Sequence, residues 1–249
     1  MNQTRIEHGA HDKIMARAKR STTRVVRRRL FAAGGLLALV LIGTAWWEAG
    51  EWRPTRARFP VQGAEIGSGD SAVNFAALKA SGADFVYLDA SEGTTQRNAG
   101  FEEHLAAARE AGLQVGALHR FDPCLGADPQ AGNFVTVVPR DAKLLPPAIE
   151  LAIDDEACAA PPAEAAMQSE LTTLVNQLEA HSGKPAILKL SRGFEARYHV
   201  SAMIDRNLWV TGAYLAPGYA GRPWVMWSAN PRLRSPAAAG RLHWVVVRP

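Results

Sequence analysis

From residue 61 onward, short runs rich in β-branched and aromatic residues alternate with stretches of helical spacing, and this alternation excludes most architectures. Val61–Ile66 reads as a strand and Val73–Ser81 as its helix; Asp84–Asp89 is the next strand. Phe101, Leu105, Ala108 and Gly112 keep helical spacing, Leu113–Leu118 is a strand, Pro129–Val137 a helix and Ala148–Ile153 the fourth strand. Met167, Leu171, Leu174, Val175 and Leu178 fall at i, i+4, i+7, i+8 and i+11, one face of an amphipathic helix. Gly183 ends that helix and Pro185 opens the strand Ala186–Leu190. Leu208–Thr211, Trp224–Trp227 and Leu242–Val247 bring the strands to eight, with few helices after Trp209. Strand–helix alternation implies a parallel sheet covered by helices. The fold expected is an α/β, TIM-like (β/α) barrel over residues 61–249, with reduced helices in its C-terminal part. A chain of 249 residues with 47% hydrophobic content has material for one such core.

The first sixty residues are of another kind. Residues 1–29 hold nine of the 28 Lys/Arg and two of the 24 Asp/Glu, a net +7; the other 220 residues carry 19 basic and 22 acidic side chains, a net −3. The basicity belongs to a tail, which argues against a nucleic-acid-binding fold. Leu30–Trp47 carries no charge over 18 residues, about 27 Å as a helix and just enough to cross a bilayer. Arg27, Arg28 and Arg29 abut its start, which the positive-inside rule keeps in the cytoplasm, and Trp46 and Trp47 stand where an aromatic belt meets the far interface. The alternatives are a cleaved signal peptide and a buried helix. No good small-x-small cleavage site is present, because the bulky tryptophans occupy its place. The expectation is a cytoplasmic tail (1–29), a transmembrane helix (30–47), a polar Pro-bearing linker (48–60) and a barrel outside the inner (cytoplasmic) membrane, on the periplasmic or extracellular side. In that oxidising setting Cys124 and Cys158, the only two cysteines and each just after a strand, are expected to form a disulfide.

LPPAIELA (145–152) reads as a buried strand with Glu150 near its exit and apolar Ala152 two places on. Residues i and i+2 of a strand face the same way, roughly 6.5–7 Å apart. Two acids at that spacing would share a cleft, as glycoside cleavage requires; here one of the two places is empty.

VQGAEIGSGDSAVNFAALKASGADFVYLDASEGTTQRN (61–98), FEEHLAAAREAGLQVGALHRF (101–121) and LPPAIELA resemble, in that order, the start of the glycoside hydrolase family 25 lysozymes. The resemblance continues through GKPAILKLS (183–191), NLWVTGAY (207–214) and PWVMWS (223–228), essentially everything after residue 60. It implies an enzyme that cuts between N-acetylmuramic acid and N-acetylglucosamine in peptidoglycan. The departures lie where the chemistry would be. Glu65 stands where the family's first strand ends in Asp. Glu150 and Ala152 stand for its Asp-x-Glu pair, so that Ala152 replaces the general acid. RLHWVVV (241–247) offers no carboxylate where the family usually has one. Glu92 and His119 match family positions on the second and third strands.

Barrel active sites lie at the C-terminal ends of the strands, and Glu65, Glu92, His119 and Glu150 all fall there. If the protein cleaves, Glu150 takes one catalytic role and Glu65 or Glu92 the other, with clustering of the three raising an acid's pKa. His119 and Trp227 are read as substrate-binding, Trp209 and Trp224 as core, and Asp89 as neutral. Asp154, Asp155 and Glu156 read as a solvated loop rather than a replacement acid. Gly63, Gly67 and Gly69 lack the lysine of a phosphate loop, and no Gly-x-Ser-x-Gly elbow is present. No metal ligand set and no cofactor are expected. The functional expectations are a barrel with lost or weak hydrolysis that binds peptidoglycan or a wall-associated protein, an active muramidase, and, third, a structural barrel without glycan affinity; the chain names no protein partner.

Overall fold

The computed structural model describes residues 31, 33–70, 72–153, 158 and 160–249. The chain divides into two compact units, Met1–Ala49 and Gly50–Pro249. In the first, residues 33–49 are helical (α1) and expose Leu36, Leu37, Leu39, Val40, Leu41 and Ile42. Among the described residues no helix is long and apolar enough to cross a membrane. The transmembrane helix expected over 30–47 is therefore a proposal, taken up below. The basic tail lies outside the described residues, as do Asp154, Asp155 and Glu156.

The second unit is the expected barrel, with one strand reversed. Its elements run β1 (Gln62–Ile66), α2 (Phe75–Ala80), β2 (Phe85–Glu92), β3 (Gln96–Arg97), α3 (Phe101–Glu110), β4 (Gln114–Arg120), α4 (Ala127–Val137), β5 (Ala148–Leu151), α5 (Glu164–Ser182), β6 (Ile187–Leu190), α6 (Arg192–Tyr198), α7 (Val200–Met203), β7 (Asn207–Thr211), β8 (Met226–Arg234) and β9 (Arg241–Val247). The order β1-β9-β8-β7-β6-β5-β4-β2 closes through the β1–β2 pairing, leaving β3 as a short hairpin arm on β2. Apart from β3, which is antiparallel to β2, neighbours from β1 to β8 pair in parallel, but β9 is antiparallel to both β8 and β1. A turn of six residues joins β8 to β9, and a connection that short permits only a hairpin.

Helices α2 to α5 form where the spacing placed them, and α6 and α7 add two short helices that the sequence reading did not name. Asn74 caps α2 by accepting from the Ala77 N–H, Ser191 does the same for α6 at Phe194, and Gly183 closes α5 at φ 69°. Strand periodicity divides the barrel residues into two sets. Inward-pointing Phe85, Tyr87, Leu118, Ala148, Ile187, Trp209, Met226 and Val245 fill the interior. Gly116 makes room for this packing, because a Cβ there would collide with the Tyr87 ring. Outward-pointing Val86, Leu88, Val115, Ala117, Ile149 and Leu188 join the core under the helices.

Among the described residues no helix follows β8 or β9, and the segment read as a linker packs against them. Gly50 O accepts from Arg234 N–H (2.6 Å), Asn230 Nδ2 donates to Trp52 O (2.9 Å), and Gln62 Nε2 donates to Pro54 O and Phe59 O (both 2.9 Å). The Arg53 guanidinium lies 4.4 Å from the Trp244 ring centroid, and Phe59, 5% exposed, stacks on Trp224 and meets the edge of Trp227. Residues 50–60 are thus part of the barrel rather than a free connector. Truncating Phe59 in this strap, Phe59→Ala, should cost about 3–5 kcal/mol, read as a lowered urea midpoint at constant m-value.

Candidate active site

The inward-facing positions at the strand C-termini carry charge. Glu65 on β1, Asp89 on β2, Arg120 on β4, Glu150 on β5 and Lys189 on β6 point into one layer above Trp209, and His243 enters it from β9. Because β9 runs backwards, its contribution comes from near its start. Several contacts follow from register: Arg120 pairs with Glu150, Glu150 with Lys189, and Glu65 with His243 across adjacent strands. One does not. β1 and β6 lie on opposite sides of the barrel, and the Lys189 ammonium crosses it to reach Glu65.

Lys189 Nζ stands 2.5 Å from Glu65 Oε1 and 2.6 Å from Glu150 Oε1. Arg120 donates from Nε to Asp89 Oδ2 (2.8 Å); its Nη1 is 2.8 Å from Glu150 Oε2 without the alignment of a hydrogen bond, and its Nη2 is 3.7 Å from Glu65 Oε1. His243 Nδ1 lies 3.6 Å from Glu65 Oε2, an oxygen without a hydrogen-bond partner among the described residues.

These contacts set the protonation states. Burial alone would raise the Glu65 carboxyl, but Lys189 and His243 outweigh it and hold Glu65 well below the usual carboxylate range. Burial likewise works against the Lys189 and Arg120 cations, and the surrounding carboxylates overcome it, raising both. Contact with Glu65 raises the His243 imidazole. Asp89 goes the other way: burial first, and Glu65 second, push it up to about 6 despite Arg120. The residue read as neutral is therefore the carboxyl nearest to acid–base duty at mild pH, whereas Glu65 is locked in its ionised form.

Of the residues expected to converge, Glu65 and Glu150 do so. Glu92 is exposed on the rim and lines, with Arg120, Phe121, Asp122, Glu150 and Ala152, a cavity of about 140 Å³. That is below the roughly 300–1,000 Å³ of small-molecule sites. Ala152, one residue beyond β5, puts a methyl group where a second carboxylate would have faced this space. His119 is corrected: it points outward from β4, fully buried, with Nδ1 2.9 Å from Ser91 Oγ and Nε2 3.4 Å from Gln130 Oε1. Burial lowers its pKa to about 4, so it is a neutral packing residue. Trp227 is corrected too: it faces outward against the 50–60 strap and donates from Nε1 to Gly212 O (2.6 Å). Both lie one position out of phase with the inward set, which strand ends alone do not reveal.

Sequence reasoning missed Lys189, Arg120, Asp89 and His243 as site residues. Lys189 had left a signal, since a lysine inside the apolar run AILKL requires a buried partner. The disulfide forms as expected: Cys124 and Cys158 are bonded, Cα–Cα 5.5 Å, tying the loop after β4 to the loop after β5 beside the cavity. Asp122 lies close to both sulfurs, but bonded sulfurs are not thiolate ligands, and the barrel carboxylates already face Lys189 and Arg120. These residues do not make a metal site.

A closed α/β barrel with its charged side chains gathered at the C-terminal mouth carries them where barrel enzymes have their active sites. The profile of the glycosyl hydrolases family 25 matches residues 65–229, and the chain belongs to that family. It is similar in structure to a family 25 glycosyl hydrolase from Bacillus anthracis (TM-score 0.72, 22% identity, covering 80% of this chain and 92% of that one). The same holds for a bacterial lysozyme from Streptomyces coelicolor (TM-score 0.66, 19% identity, 75% and 91%). An autolytic lysozyme from Clostridium acetobutylicum is 37% identical over 59 residues, 24% of this chain; the match spans only 18% of that lysozyme's length.

Removing the central cation tests the network. Lys189→Met leaves the buried Glu65 with only its longer contacts to Arg120 and His243 and should destabilise by about 3–5 kcal/mol, whereas Lys189→Met with Glu65→Gln should recover most of the loss. Glu65 also makes the barrel acid-sensitive. Its carboxyl protonates from about 4.5 when unfolded and at lower pH when folded, so its stabilisation is present above 4.5 and is lost as pH falls. Asp89 has the opposite sign, favouring the folded state at low pH and losing that contribution between about 3.8 and about 6. Urea midpoints of Glu65→Gln should therefore fall less steeply below pH 4.5 than those of the parent.

Proposed function

We propose that this family 25 barrel binds cell-wall peptidoglycan or a related glycan and hydrolyses it poorly or not at all. One observation carries the reading. The ammonium of Lys189 is bonded to both Glu65 and Glu150, and a methyl group stands at position 152. Glycoside cleavage needs one carboxylic acid to protonate the leaving oxygen and one free carboxylate to stabilise or trap the sugar cation. Glu65 is held ionised, so it is a poor acid, and its charge is neutralised from two sides, so it is a poor nucleophile. Between Glu65 and Glu150 stands a cation rather than a space for water or a sugar carbon. General acid–base assistance is typically worth about 10²–10⁴ in rate, and position 152 supplies none of it.

A second reading, an active muramidase, draws on Glu92. It lines the same cavity as Glu150 and makes no ion pair among the described residues, so Glu150 with Glu92 is the pair an active enzyme would use here. The pairing of Glu150 with Glu65 is the weaker version, since Lys189 holds both.

We further propose that residues 30–47 anchor the chain in the inner membrane, with the Arg-rich tail cytoplasmic and the barrel on the periplasmic or extracellular side. The uncharged run, the three arginines at its start and the disulfide in the barrel support this arrangement. Phosphatase fusions should be active when joined after residue 55 and inactive before residue 25; the reverse pattern defeats the topology.

A peptidoglycan pull-down and a zymogram on the detergent-solubilised chain separate the two readings of the site. Binding with little or no clearing is expected, Glu150→Gln should leave the low rate almost unchanged, and Ala152→Glu should raise it. Robust clearing that collapses on Glu150→Gln or Glu92→Gln would establish the active enzyme instead, at a loss of at least about 3 kcal/mol of transition-state stabilisation.

A further inference from the structure

The roomier cleft of the Gly50–Pro249 unit lies on the barrel's flank. It encloses about 550 Å³, with Trp52, Pro54, Phe59, Tyr214, Leu215 and Trp227 in its walls. Leu215 is 81% exposed, the most exposed large apolar side chain of this unit, and Trp52, 36% exposed, sets its ring against Tyr214 at 5.8 Å. Two arginines stack on the same aromatic cluster. Arg58 lies 5.6 Å from the Phe59 ring and Arg248 5.2 Å from the Trp224 ring, while Phe59 and Trp224 stack on each other. Neither arginine makes an ion pair among the described residues. Apolar side chains and a tryptophan rimmed by free guanidinium groups have the composition of a bilayer interface contact, where rings settle at the headgroups and cations meet anionic lipid.

The covalent chain decides between a membrane and any other occupant. α1 ends at residue 49, and Gly50 is already bonded to Arg234. From Gly50 to Trp52 is two residues, about 7 Å at full extension. With residues 30–47 as the anchor, Trp52 is five residues from Trp47, at most about 18 Å of chain, so the covalent chain itself keeps Trp52 within reach of the bilayer surface. We propose that this flank rests on the bilayer, with Leu215 and Trp52 in the headgroup layer and Arg58 and Arg248 on anionic phospholipid. The inference rests on the anchor reading. Since the contact face is formed by outward-pointing residues, the mouth with Glu65, Lys189 and Glu150 stays open to glycan.

The test uses the full chain with Leu215→Cys labelled by an environment-sensitive dye, without reductant so that Cys124–Cys158 stays bonded. It is reconstituted in phosphatidylcholine–phosphatidylglycerol vesicles carrying a headgroup-level nitroxide lipid. The same label at Glu110→Cys, exposed at the end of α3, is the control. The expected result is flotation with the vesicles, quenching at 215 and little at 110. Quenching at 215 should fall to the control level in pure phosphatidylcholine and in Arg58→Glu/Arg248→Glu, with flotation unchanged. Flotation with no quenching at 215, or equal quenching at both positions, overturns the inference and leaves the anchor standing. A chain that does not float overturns the anchor and the inference together. Shielding of the label by soluble peptidoglycan fragments, without lipid quenching, would assign the cleft to glycan and also overturn it.

Discussion

A single ammonium group organises the mouth of this barrel. Lys189 is almost fully buried and would be costly there as an isolated charge. Its two short contacts, one to the neighbouring strand and one across the barrel, make it tolerable. Each partner is fixed in turn: Glu150 takes Arg120 as its second cation, Arg120 holds Asp89, and Glu65 draws in His243. The layer is compensated in charge as a unit, although Glu65 Oε2, Asp89 Oδ1 and Glu150 Oε2 accept no hydrogen bond among the described residues. The weak hydrolysis proposed above rests on this mutual compensation of Glu65, Lys189 and Glu150.

The layer can form because register and parity deliver its members together. Glu65, Asp89, Arg120, Glu150 and Lys189 share the inward phase with the apolar residues beneath them. The reversed β9 supplies His243 at the level where a parallel strand would present its other end. Reversal also removes the last outer helix, and the strap from Gly50 to Pro60 covers the aromatic face that this loss exposes.

How much of this could be read in advance depended on the kind of signal. The eight strands and the helix at Met167–Leu178 were legible because their periodicity is set by burial. The disulfide was legible because two cysteines allow only one pairing. Glu150 and the empty place at Ala152 were legible from a spacing of two at the end of one strand. The cross-barrel contact was not, since Glu65 and Lys189 are 124 residues apart and nothing local couples them. His119 and Trp227 were misplaced for a narrower reason. Proximity to a strand end was taken as sufficient, whereas a shift of one residue turns a side chain to the opposite face. The direction of β9 was encoded only in the shortness of the turn before it.

β9 is hydrogen-bonded along both of its sides, to β8 on one and to β1 on the other. It is thus the closing stave of a cylinder that otherwise has no free edge. Were it to detach, two rows of unpaired backbone N–H and C=O groups would appear at once, on strands carrying Phe85-facing Gly63 and the apolar run around Trp227. Exposed edges of this kind recruit strands from other chains. The vulnerability to self-association of this protein is therefore concentrated in the strand that its neighbours grip from both directions, and the strap bonded at Arg234, Asn230 and Gln62 is also a guard on that seam.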